Sequence, residues 1–289
     1  MASHLVPARA VGDDAAGLFG PDSITWQVHA DPILIVGGIR ALLLQALHPL
    51  ALAGVVEHSG FKEDPWGRLG RTAEFVGVLT YGTRSDAAKA AARVRGAHRG
   101  LAGAEPETGT PYRVDDPALL LWVHCCEVDS LLAAHRRCGA PLAPGAADAY
   151  VAEQVRAAAL VGLTPADVPA STGDMREYFE AVRPQLHSTA AAREAMRLLL
   201  TPPLPLPARP AWAGLASIAF GMLPRWARAR FGLTGWLTAH PGTDLVAGVA
   251  GRSLRSAVHL VPRGLWESPA RRAAEQRLAA GAAALAAGV

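Results

Sequence analysis

Twice in this chain an aspartate and a proline open a long apolar-periodic segment that a glycine then closes: Asp64-Pro65 to Gly82, and Asp116-Pro117 to Gly139. Aspartate accepts hydrogen bonds from the free amides of a first helical turn, and proline at that position loses nothing by lacking one. Glycine leaves the helical register at no steric cost, so each set of signals delimits one helix, the second of about 22 residues. Between the two, Ser85 is expected to cap another helix that fades in Gly100 and Gly103. Periodicity adds helices over 145–161 and 174–200. No segment alternates with the period of two that a half-buried strand requires. The expected fold class is therefore all-α, a single multi-helix domain.

Proline sets the main division of the chain. TPPLPLPARP, residues 201–210, reads as a non-helical connection between a helical core over 18–200 and a helical cover over 211–289, with residues 1–17 as an N-terminal arm. In the cover, Trp212, Phe220, Trp226 and Phe231 are interleaved with arginines, a pattern that suits a peripheral membrane contact or a lid, packing against the body being the commoner outcome. The last twenty residues read as an Ala-rich helix of weak specificity that frays. Residues 32–56 are long and apolar enough to span a bilayer. However, Arg40, Gln45, His48 and Pro49 sit in their middle, and a charge at the bilayer centre costs roughly 2.5 kcal/mol or more, so a buried core helix with a polar stripe is expected and no transmembrane segment. The N-terminus lacks the apolar stretch of a secretory signal, which predicts a cytoplasmic location.

Composition excludes several classes. A 51% hydrophobic content against 18% charged residues describes a chain with much buried surface. The net charge of +3 comes from 28 Lys and Arg spread without runs, so no nucleic-acid partner is expected. Cys125, Cys126 and Cys138 form neither a disulfide framework nor a metal-spaced pair, and read as small buried hydrophobes. There is no Gly-rich phosphate loop, nucleophile elbow or HExxH pattern.

Five of the ten histidines, His48, His58, His98, His124 and His135, fall on or beside apolar segments of the first half. Ala87, Ala91, Val94, His98 and Leu101 share one helical face, with Lys89 opposite, and small neighbours would let a broad planar body approach His98. Axial ligation of haem and a core histidine bonded to a neighbouring helix both fit this placement. On the preceding helix Arg68 and Thr72 share a face with Phe75, Val76 and Leu79. A buried arginine there needs a partner, which a haem propionate, bound oxygen or a structural aspartate would supply.

Taken in order, RALLLQALHPLALAGVVEHSGFKEDPWGRLGRTAEFVGVLTYGT, AAARVRGAHRGLAG, YRVDDPALLLWVHCCEVDSLL and YVAEQVRAAALVGLTPADVP resemble the MpaB-type oxygenases, the group that also holds the catalytic domain of bacterial rubber oxygenases. The resemblance covers about residues 18–232 and rests on the ordered series of motifs. It implies an all-α fold with a globin-like helical core, haem b held by one histidine, and dioxygen-dependent cleavage of a carbon–carbon double bond in an isoprenoid. By that resemblance His98 is the axial iron ligand and Arg68 and Thr72 are the RxxxT pair near the haem. Arg71 falls where rubber oxygenases can place a distal lysine, and Arg40, His48, His58, Asp64 and His124 belong to the broader family's motifs. An ungapped count from the arginine to the distal acid of rubber oxygenases lands on Leu52, with Glu57 the nearest carboxylate.

The resulting expectation is a haem-b-dependent oxygenase using dioxygen on an apolar small molecule, an isoprenoid or secondary metabolite. His98 ligates iron, Arg40, His48, Arg68, Arg71, Thr72 and His124 contact the cofactor, and Glu57, His58, Arg68 and Thr72 serve catalysis. A non-catalytic haem- or ligand-binding protein, and a haem-free enzyme using the His/Arg cluster, are the alternatives.

Overall fold

The structure, a computed structural model, describes residues 14–60, 64–232 and 242–287. Most of the expected N-terminal arm, and the stretch of the cover at 233–241, lie outside the described residues. The chain is all-α: α1 (Ile24–His29), α2 (Leu34–Gln45), α3 (Pro49–His58), α4 (Pro65–Tyr81), α5 (Arg84–His98), α6 (Pro117–Cys138), α7 (Ala146–Leu160), α8 (Thr172–Val182), α9 (Ala190–Leu200), α10 (Arg209–Gly221), α11 (Arg225–Arg230), α12 (Gly242–His259) and α13 (Pro269–Ala286). Side-chain caps begin most of the core helices. Asp64 and Asp116 accept from Gly67 N and Ala118 N at 2.8 Å each, and Ser23, Ser171 and Thr189 do the same for α1, α8 and α9.

Several features differ from expectation for local reasons, among them the connection at 201–210, where a 3-10 turn at Leu206–Ala208 leads into α10 from Arg209 because proline fits a first helical turn. The cap of α5 is Thr83, two residues before Ser85, because Asp86 sits at the third helical position and returns a bond to the Thr83 amide, closing a capping box. The expected helix over 174–200 is two helices, since Pro184 stops the first in a short 3-10 turn at Arg183–Gln185. A small antiparallel hairpin also appears, β1 (Ala102–Ala104) with β2 (Pro111–Arg113), pairing Gly103 with Tyr112. Three residues per strand are too few to register as alternation.

The core is built on α6, which packs against α2, α7 and α12. Val36, Ile39, Leu43 and Leu44 of α2 are buried there with Trp122, Cys125, Val128 and Leu132 of α6, each large apolar side chain contributing about 2 kcal/mol. Gly37 makes the close approach possible: a Cβ on it would stand 3.0 Å from Leu131 Cδ2 and 3.1 Å from the Ser130 carbonyl. α6 is long and apolar enough to cross a membrane, but half of that apolar window is buried inside the protein. The apolar stretch 32–56 is not one straight rod. Ala46–His48 break it, Pro49 starts α3, and the two helices bend by 108°. Beyond the proline connection, α10 returns to α2 and α9, and Met222 and Leu223 complete the same core. α13 docks Ala274 and Leu278 onto Trp26 and Tyr81.

Candidate functional site

Helix α5 turns an alanine face inward. Ala87, Ala90 and Ala91 are buried, Ala87 packing with Leu79 and Ala157, while Lys89 is exposed. His98 is the last residue of this helix and is half-buried. Its ring makes no hydrogen bond among the described residues. Burial holds its pKa below the usual histidine value and outweighs the opposing pull of Asp115. The imidazole is therefore neutral at pH 7, with nitrogen lone-pair density available for a ligand.

Helices α4 and α5 pack on each other, α4 also on α1 and α5 on α7, but neither packs closely against α6. Leu120, His124 and Glu127 share one side of α6, where Leu120 packs with Ala158, Leu163 and Val168. His124 and Glu127 both keep part of their surface accessible, and neither makes a side-chain hydrogen bond among the described residues. Even so, burial lowers His124 to about 4 and raises Glu127 to about 7. His29 ties α1 to α4 and α7, its ring nitrogens 2.8 Å from Thr80 Oγ1 and 2.9 Å from Tyr150 Oη.

A second polar cluster sits where the hairpin meets α3. The Tyr112 hydroxyl donates to Glu57 Oε2, and His58 Nε2 lies 3.3 Å from the same hydroxyl and 3.9 Å from that carboxylate oxygen. Burial and the Glu57 carboxylate together push the Tyr112 pKa up, so the phenol keeps its proton. Gly103 faces the cluster, and a Cβ there would overlap Glu57 Oε2 and the Tyr112 hydroxyl. Glu57 and His58 are thus brought together with a residue the sequence had not singled out. Tyr112 lies 55 positions from Glu57, and only the pairing of the hairpin discloses the contact.

The other sequence-predicted residues are dispersed. Arg68 is half-buried and lines a small cleft with Trp66, Leu69, Leu199 and Trp212, where burial lowers its pKa. Thr72 is exposed and its hydroxyl donates back to the Arg68 carbonyl at 3.0 Å. Arg71 is exposed and pairs with Asp64 at 3.3 Å. Arg40 is deeply buried on the other side of α6, held by the Met222 carbonyl at 3.0 Å, the Ser130 hydroxyl and Asp129 at 2.8 Å. His48 caps α3, accepting from Ala51 N at 3.5 Å, with its ring against Trp122. Leu52 packs among Ala46, Ala192 and Ala195, an apolar position. Glu127 was also missed, although its place one turn beyond His124 is visible in the sequence.

No three His, Cys, Asp or Glu side chains converge on a metal-sized point among the described residues. Neither a curated protein nor a solved structure matches the chain. A family model does, described as ER-bound oxygenase mpaB/B'/Rubber oxygenase, catalytic domain, and it spans residues 26–261. With most of its length so matched, the chain belongs to this family of oxygenase catalytic domains.

Proposed function

We propose that this oxygenase is haem-b-dependent, that His98 is its axial iron ligand, and that it uses dioxygen on an apolar isoprenoid or secondary metabolite. One observation carries the reading. His98 offers a neutral imidazole whose ring makes no hydrogen bond among the described residues, at the end of a helix whose inner face is alanine. That is the donor chemistry of haem ligation, and a porphyrin supplies the four further nitrogens that the protein does not. When bound, the haem supplies the activation of dioxygen.

The protein's own groups divide the remaining work. His98 stays deprotonated because its surroundings resist charge. Burial keeps the His124 imidazole neutral at pH 7 and raises Glu127 to about 7, so that carboxyl is about half protonated there and able to exchange a proton. Tyr112 keeps its proton directed at Glu57 Oε2, so Glu57 and His58 form a pair able to take up or release a proton, with Tyr112 fixing the carboxylate's orientation.

The reading is tested by the visible spectrum of protein purified from iron-replete cells or reconstituted with hemin. A Soret band that His98→Ala loses is expected; protein that takes up no haem overturns it. The buried apolar position of Leu52 favours one competing reading, a haem carrier without turnover. Oxygen uptake with unsaturated isoprenoids, reduced in Glu57→Ala, separates the enzyme from the carrier.

A further inference from the structure

On the other side of α6 lies a cavity of about 420 Å³, within the range of small-molecule sites. Asp129, Leu132, Ala133 and Arg136 line it from α6. At about 100° per residue these four positions fall roughly 80 to 180° around the helix from His124, so the cavity lies on a different side of α6 from His124. Its apolar wall is made by Leu132, Val151, Met175, Phe179 and Trp226.

Four guanidinium groups, Arg40, Arg136, Arg176 and Arg183, reach this cavity against one carboxylate, Asp129. Arg40 and Asp129 neutralise each other at 2.8 Å, and Arg136 is close enough to Asp148 to lower that carboxyl's pKa. Arg176 and Arg183 have no ion pair among the described residues. The Arg183 guanidinium lies over the Trp226 ring, 5.2 Å from its centroid. A carboxylate or phosphate oxygen in the cavity would form charge-assisted bonds with guanidinium groups of its wall. Trp226 thus presents an indole face beside one cation, with a second cation, exposed Arg176, at the rim.

We infer that this cavity is a second binding site, for an organic anion that joins a carboxylate or phosphate group to an apolar body. The head group bonds Arg183 and Arg176, and the apolar body lies against Met175, Phe179 and Trp226. Titration calorimetry of the full chain with decanoate and with decyl phosphate tests this, decanol and inorganic phosphate serving as half-ligands. Binding of one or both anions with 1:1 stoichiometry is expected, and a preference between them identifies the head group. Arg176→Gln and Arg183→Gln should each weaken binding about tenfold or more, the loss of one charge-assisted bond. Both half-ligands should bind more weakly by a similar factor, whereas Arg93→Gln and His98→Ala should leave the affinity unchanged. Arg176 is exposed, so its substitution reports on the site even if replacing Arg183 disturbs packing around Trp226. No binding up to about 1 mM, equal binding of decanol, indifference to Arg176→Gln, or loss of binding in His98→Ala would each overturn the inference.

Discussion

Thr80 has a single hydroxyl proton, and where it goes decides the tautomer of His29. That proton is donated to the Val76 carbonyl at 2.7 Å, so Thr80 Oγ1 must accept from His29 Nδ1–H, and His29 Nε2 must in turn accept from the Tyr150 hydroxyl. Burial, aided by the nearby His135, lowers the His29 pKa from 6.5 to about 3. The unfolded chain takes up this proton near pH 6.5 and the folded one does not, so the stability it contributes is complete above 6.5 and is lost as pH falls toward about 3. Glu127 works in the opposite sense. Its folded pKa is raised from 4.5 to about 7, so its contribution is complete below 4.5 and is lost as pH rises through about 7. Urea unfolding measured from pH 4 to 8 should show His29→Leu losing about 2 kcal/mol at pH 7 through its two hydrogen bonds. The same variant should have an acid-side slope shallower by up to one proton, about 1.4 kcal/mol per pH unit. An unchanged slope would contradict the assignment.

Adjacent glycines in α2 make the argument for elements. Gly37 faces α6 with no room for a Cβ, and Gly38 has nothing within 4 Å. Gly37→Ala should cost about 1–3 kcal/mol despite alanine's better helix propensity, because Leu131 and the Ser130 backbone would have to move. Gly38→Ala should gain up to about 1 kcal/mol, and thermal unfolding of the two variants should shift in opposite directions. Elements of this kind were legible wherever the signal was local: Asp64-Pro65 and Asp116-Pro117 start α4 and α6, and Gly82 and Gly139 end them. Reading through Pro184 merged α8 with α9, because an apolar period can continue in phase across a break. The candidate site divides along the same line. His98 stood out as a histidine on an alanine face, whereas the Tyr112 contact to Glu57 and the clamping of Arg40 by the Met222 carbonyl, 182 positions away, are products of tertiary packing. Nothing in residues 32–56 alone distinguishes an arginine awaiting a cofactor from one held by a distant backbone.

At the scale of the whole molecule, α6 carries His124 and Glu127 on one side and lines the inferred anion cavity on the other. The C-terminal helix acts further from both, closing over Trp26 and Tyr81 while Arg277 bonds the Ala15 and Tyr81 carbonyls at 3.1 and 2.8 Å. The dependence of α2 on α6 has a consequence for synthesis. Leu43 and Leu44 leave the ribosome well before the segment that buries them has been translated, a delay of about 5 to 20 s at roughly 5–20 residues per second. Over that interval the nascent polypeptide exposes its stickiest surface. Holdase-type chaperones are therefore expected to engage ribosome-stalled chains ending at residue 116 more strongly than chains stalled long enough past residue 138 for α6 to emerge, and crosslinking to the nascent chain at each length would measure the difference.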